Sequence, residues 1–210
     1  MLKKYSVLAG VTVSVALLII ATFVYPGGSQ SDKNAIGFDW TKNYISDLFD
    51  AKAANGSDNP SRGWADAAMV FLSVSIALFF LNFSKKIPEK RSAGIIKYVG
   101  AGSMLFILLT VTALHGLMVI IASTLFLINL FYITIYVLRS KLHLFKFFCI
   151  LCLLIFYCTL FLYGSADRTW LPLMQKITFT SSLLLVLGLE HFTAKEDFEQ
   201  VEDFTDTASS

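Results

Sequence analysis

The chain has 210 residues, 56% of them hydrophobic and 15% charged, with a formal net charge of +2 at pH 7. Its mean hydropathy is +0.67. That balance excludes a soluble domain, where charged residues make up about a quarter of the chain, and it lacks the basic excess of a nucleic-acid binder.

The apolar residues fall into six blocks, 5–24, 64–83, 98–114, 117–138, 145–163 and 171–192. Each is about the twenty residues that cross a hydrocarbon core of about 30 Å as a helix. They lack the polar stripe of a soluble helix and the alternation of an outer-membrane barrel strand. The expected fold is therefore all-α, a polytopic bundle of six transmembrane helices.

The first block follows Lys3 and Lys4, the basic start of a secretory signal or of an anchor. Before the turn Tyr25-Pro26-Gly27-Gly28 it ends in Ala21-Thr22-Phe23-Val24, without a small-x-small cleavage site, which favours an uncleaved anchor. Basic residues then set the orientation. Lys3, Lys4, Lys85, Lys86, Lys90, Arg91, Lys97, Arg139, Lys141, Lys146 and Lys195 fall on one side, against Lys33, Lys42, Lys52, Arg62 and Arg168 on the other. Eleven against five places both termini in the cytoplasm.

The segment 25–63 is then the one long outer loop, too long to lack structure of its own. It opens and closes with turn sequences, the latter Asn55-Gly56 and Asp58-Asn59-Pro60. Between them, in DWTKNYISDLF, Tyr44, Ile45, Leu48 and Phe49 share one side of a helical wheel, and Ser46, Asp47 and Asp50 the other. This predicts a short amphipathic helix, N-capped by Thr41, lying on the membrane face or the bundle mouth. Asp47 is expected to cap a neighbouring span or to pair with Arg168.

After the second span, the basic stretch 84–97 reads as a short linker near anionic lipid headgroups, or as a topology signal alone. His115, at the tight turn between spans three and four, shares the outer side with Asp47, Asp66, Asp167 and Arg168. One histidine with several aspartates could hold zinc and activate water, with His115, Asp47 and Asp167 as candidate catalytic residues. No second histidine lies at ligand spacing, so a hydrogen-bonded structural His115 is the plainer reading, and no metal or cofactor is expected. Cys149 and Cys152 form C-x-x-C, with Cys158 beyond, but the outer loops contain no cysteine to exchange with, so they read as buried small hydrophobes.

Lys176 lies inside the sixth span and needs a partner: Asp66 or Asp167, or else a snorkelling route to the headgroups. Asn129 and Ser181-Ser182 read as interhelical hydrogen-bond sites. The acidic tail, residues 193–210, is expected to be disordered.

The loop text YPGG, GFDWTKNYISDLF and NGSDNPS directly after span one, with Gly164-Ser165-Ala166-Asp167-Arg168 before span six, resembles the bacterial six-span family called domain of unknown function 998. More distantly it is similar to the Frag/DRAM/Sfk group, whose first outer loop carries a comparable I-S-D and a later proline, here Ile45, Ser46, Asp47 and Pro60. The resemblance implies the six-helix fold and lipid-related or trafficking roles, and it implies no reaction.

The leading expectation is a bacterial inner-membrane protein with no demonstrated activity, whose outer face meets lipid or a protein partner. Its candidate binding residues are Asn43, Ser46, Asp47, Asp66, Arg168, Trp170 and Lys176. The alternatives are an outer-facing metal-dependent lipid hydrolase and a small-solute transporter, the latter resting on Lys176 and Asn129.

Overall fold

The computed structural model describes residues 5–112, 114–165 and 167–199. Lys3, Lys4, Ala166 and the tail from residue 200 onward lie outside the described residues. The fold is all-helical. In chain order the helices are α1 (Ser6–Val24), α2 (Ser61–Phe83), α3 (Lys90–Leu109), α4 (His115–Arg139), α5 (His143–Gly164), α6 (Leu171–Phe192) and a single turn, α7 (Glu196–Glu199). Among the described residues, α1 to α6 are long and apolar enough to cross a membrane.

The helices run up and down, so one end of the bundle carries the long loop and the other carries α7. Tyr5, just before α1, stacks on His191 at the end of α6 with ring centroids 5.9 Å apart, which puts the start of α1 beside the end of α6. α2 is the central helix, packed on α1, α3 and α6. Over its apolar stretch 56% of residues are buried, against 17% for the peripheral α5. In a membrane the uncovered side chains of α5, Phe147 and Phe161 among them, face lipid rather than water.

Small residues let the central helices approach. Gly10 of α1 lies against Ser75 of α2, and Gly100 of α3 against the Phe80 ring, where a Cβ would collide. Ser14 Oγ donates to the Ala68 carbonyl at 2.8 Å, a buried bond between α1 and α2. Pro172 in the first turn of α6 needs no backbone partner there.

Two boundaries differ from expectation. α3 starts at Lys90, so most of the linker expected over 84–97 is helix. Glu89 causes this: its carboxylate accepts from the Arg91 and Ser92 N–H groups at 2.8 and 2.9 Å, an N-cap that starts the helix well before its apolar stretch. At the other extreme, residues 193–199 are ordered instead of disordered. Phe198 is wholly buried against Phe83, and apolar burial of that ring is what orders the turn.

Candidate functional site: the loop cap

The loop between α1 and α2 folds over one end of the bundle. It opens at Gly27 and Gly28, both at positive φ, and the Gly28 backbone passes so close to Asn55 that only glycine fits. Tyr25, 3% exposed, accepts a hydrogen bond on its hydroxyl from the Ala54 N–H at 3.0 Å and meets the Phe38 ring edge-on. Leu48, 1% exposed, anchors the middle of the loop on Leu18, Ala21, Ala65 and Ala68.

The helix expected in DWTKNYISDLF is a five-residue 3-10 turn, Ile45–Phe49. Thr41 does not cap it. Its N–H and hydroxyl both donate to Asp39 Oδ1, which closes a separate turn and holds the Asp39 carboxyl below the usual carboxylate range. The apolar side of the wheel is as expected, with Leu48 buried and Ile45 and Phe49 packed beside it. Asp47, expected to face a span end or Arg168, turns back into its own loop.

Asn43 is the centre of the cap. It is fully buried, and its side-chain amide donates to the Gly28 carbonyl and to Asp47 Oδ2, both at 2.8 Å. Its Oδ1 accepts from the Asp39 N–H at 2.9 Å. Asp47 Oδ2 accepts in addition from the Tyr44 N–H at 2.9 Å. Burial pushes the Asp47 carboxyl up, while the bonds from Asn43 and Tyr44 and the more distant Lys176 charge pull the other way.

Two residues of α6 hold the cap down. The Lys176 ammonium donates to the Asn43 carbonyl at 2.5 Å and to the Pro172 carbonyl at 3.0 Å, and lies 5.6 Å from the Phe38 ring centroid. Gln175 Oε1 accepts from the Ile45 N–H at 2.9 Å. A lysine set inside an apolar helix therefore finds carbonyls and an aromatic face rather than a carboxylate, a correction to both expected ion pairs. Asp66 pairs with Arg62 at 3.7 Å, and Asp167 is held low by hydrogen bonding from the Thr169 side chain and from the Thr169 N–H, the latter at 2.9 Å.

Asn59 and Ser61 tie the loop to α2, and the sequence reading missed both as site residues. The Asn59 amide donates to the carbonyls of Asp47 and Asp50 at 3.1 and 2.8 Å. Its Oδ1 accepts from the Ser61 hydroxyl at 2.5 Å and N–H at 3.2 Å. In the sequence Asn59 shows only as part of the turn Asp58-Asn59-Pro60, and nothing there marks Gln175.

The other candidates do not converge on this cluster. His115 Nδ1 lies 2.6 Å from the Thr110 carbonyl, across the turn that joins α3 to α4. The Arg168 guanidinium lies over the Tyr163 ring, 5.4 Å from its centroid, rather than on Asp47. Trp170 is 63% exposed at the start of α6, and Ser46 is half-buried on the 3-10 turn. Among the described residues, no three His, Cys, Asp or Glu side chains gather as metal ligands, so His115, Asp47 and Asp167 form no joint site. Cys149 and Cys152 are buried free thiols, with Cys152 Sγ 3.4 Å from the Ser181 carbonyl.

Fold and site together define a multi-pass helical bundle closed at one end by a polar-stapled loop. The chain matches no family model, and neither a curated protein nor a solved structure is similar to it.

Proposed function

We propose that this is a bacterial inner-membrane protein, with both termini cytoplasmic, whose loop cap forms a recognition surface for lipid headgroups at the outer leaflet. The observation that carries this reading is the division of the cap into a rigid interior and an apolar rim. Asn43, Asn59 and Lys176 staple it from within, while Ile36 is 97% exposed on one of its turns and Trp40 is 53% exposed. Trp64 and Trp170, at the starts of α2 and α6, are 45% and 63% exposed at the same end. Tryptophans at one level of a bundle suit the headgroup region, where an apolar ring and a polar N–H are both satisfied.

A capped bundle also suits the resemblance to domain of unknown function 998, which we carry as part of this proposal. At the opposite end, exposed Lys85, Lys90, Arg91 and Lys97 suit anionic headgroups of the inner leaflet. No reaction is assigned, because Asp47 and Lys176 are held by loop and helix groups rather than aimed at an open pocket.

The test is a photo-crosslinking amino acid at position 36 or 40 in living cells. Lipid adducts at both positions support the reading. Adducts to one protein in place of lipid would make the cap a partner surface, and no adducts at either position would remove the recognition role.

A further inference from the structure

The bundle end opposite the cap carries a second docked element. After α6 the chain turns at Thr193, and Lys86 fixes that turn. Its ammonium donates to the carbonyls of Leu189 and Glu190 at 2.9 and 3.0 Å and to Thr193 Oγ1 at 3.2 Å. A cation there satisfies the free carbonyls and complements the negative end of the helix dipole. The following turn is self-capped: Asp197 Oδ2 accepts from the Ala194 N–H at 2.8 Å, and Lys195 pairs with Glu199 at 2.9 Å.

This frame delivers Phe198 into the bundle. Its ring is 0% exposed and meets Phe83 edge-on, with centroids 5.5 Å apart. Phe83 in turn lies 5.5 Å from Phe79, which lines a narrow apolar cavity with Phe80, Ile133, Val186 and Leu189. The ring sequence Phe79, Phe83, Phe198 thus runs from the cavity wall to the bundle end, with Phe198 outermost. α7 is only four residues long, too short to hold itself together, so its order depends on the site that receives it. The same triplet recurs six residues later, Glu202-Asp203-Phe204 after Glu196-Asp197-Phe198.

We propose that this end of the bundle is a receptor site for an acidic-aromatic Glu-Asp-Phe segment, occupied in cis by Glu196, Asp197 and Phe198 and open to a competing segment of the same chemistry. Phe83 and its neighbours take the ring, and the Asp197 carboxylate, on the Ala194 N–H, caps the turn that presents it. The site is independent of the cap and of the lipid reading given above.

The full-length protein in nanodiscs tests this through trypsin cleavage after Lys195, read as release of residues 196–210. Phe198→Ala should speed release by about tenfold or more, since cleavage follows the open population, and Phe198→Leu should keep much of the protection. Unchanged cleavage after Arg139 and Lys141 shows the bundle intact. On the wild-type chain, excess acetyl-Glu-Asp-Phe-Glu-Gln-amide should also speed release, while its Phe-to-Ala form should not. Equal release from wild type and Phe198→Ala, or equal effects of the two peptides, overturns the proposal.

Discussion

The ammonium of Lys176 sits on the carbonyl of Asn43, a residue 133 positions earlier in the chain. One bond thus joins the loop that follows the first span to the first turns of the last. Within its own helix that charge reaches the Pro172 carbonyl, and the closed loop adds the Asn43 carbonyl and the Phe38 ring.

Replacing Lys176 by methionine keeps the apolar stem and removes the donor, so the cap should loosen at a cost of about 1.5–3 kcal/mol, the range for a hydrogen bond to a charged group. Because carbonyls and not carboxylates hold Lys176, Asp66→Asn and Asp167→Asn should add to that cost independently, within about 0.5 kcal/mol. Double-mutant cycles of denaturant unfolding in micelles check this. Rescue of Lys176→Met by either aspartate variant would restore the ion-pair reading.

Asp47 gives the cap a pH dependence of definite sign. Its folded pKa is raised from 3.8, chiefly by burial, so the folded state binds the proton more tightly than the unfolded chain does. The associated stability is fully present below 3.8 and is lost as pH rises through the raised folded value. Asp39, lowered from 3.8 by its bonds from Thr41, acts in the opposite window: its stability is lost as pH falls through its folded value. Asp47→Asn should remove the loss on the upper side alone, read as loop amide exchange against pH. Asp47→Ala removes the same pH dependence and should cost about 1 kcal/mol at low pH and less above the raised folded value, because the Tyr44 N–H and the Asn43 amide lose their shared acceptor.

Asn59→Ala should be the most damaging single change in the loop. It leaves the part-buried carbonyls of Asp47 and Asp50 without their donor and the Ser61 hydroxyl with only the Leu48 carbonyl, at about 1–3 kcal/mol in all. Asn59→Asp keeps the acceptor but replaces the donor with a charge facing those carbonyls, and should be no better. Protease sensitivity across 40–58 reads both.

The six spans were legible because lipid as a solvent imposes a length and a composition that no soluble fold shares. Helix ends were less so. The start of α3 is set by the Glu89 side chain on the Arg91 and Ser92 N–H groups, and that signal lies outside the apolar stretch. In the cap, the apolar positions Ile45, Leu48 and Phe49 showed in their spacing, and Asn43, Asp47 and Lys176 were all among the candidates. What stayed hidden was who bonds whom. Asn43 and Asn59 bind backbone carbonyls, which every residue offers, so no residue type marks their partners. Charge logic pointed Lys176 to aspartates for the same reason. Phe198, one ring in an acidic tail, has no periodicity to give its burial away.

The orientation of the bundle follows from basic residues alone and has its own check. With Cys158 replaced by serine, a cysteine at the exposed Ser57 should react with an impermeant thiol reagent in intact cells, and one at the exposed Lys85 should not. Reversed labelling would place the cap in the cytoplasm.

The central claim is that the loop is a folded cap held to α6, and amide exchange of the Ile45 N–H in nanodiscs tests it most directly. That proton is bonded to Gln175 Oε1 at 2.9 Å, one residue from Lys176. The account predicts slow exchange in the wild type and an acceleration of about tenfold or more in both Gln175→Ala and Lys176→Met, with the α2 amides unchanged. Fast exchange in the wild type, or a rate that neither substitution alters, would contradict it.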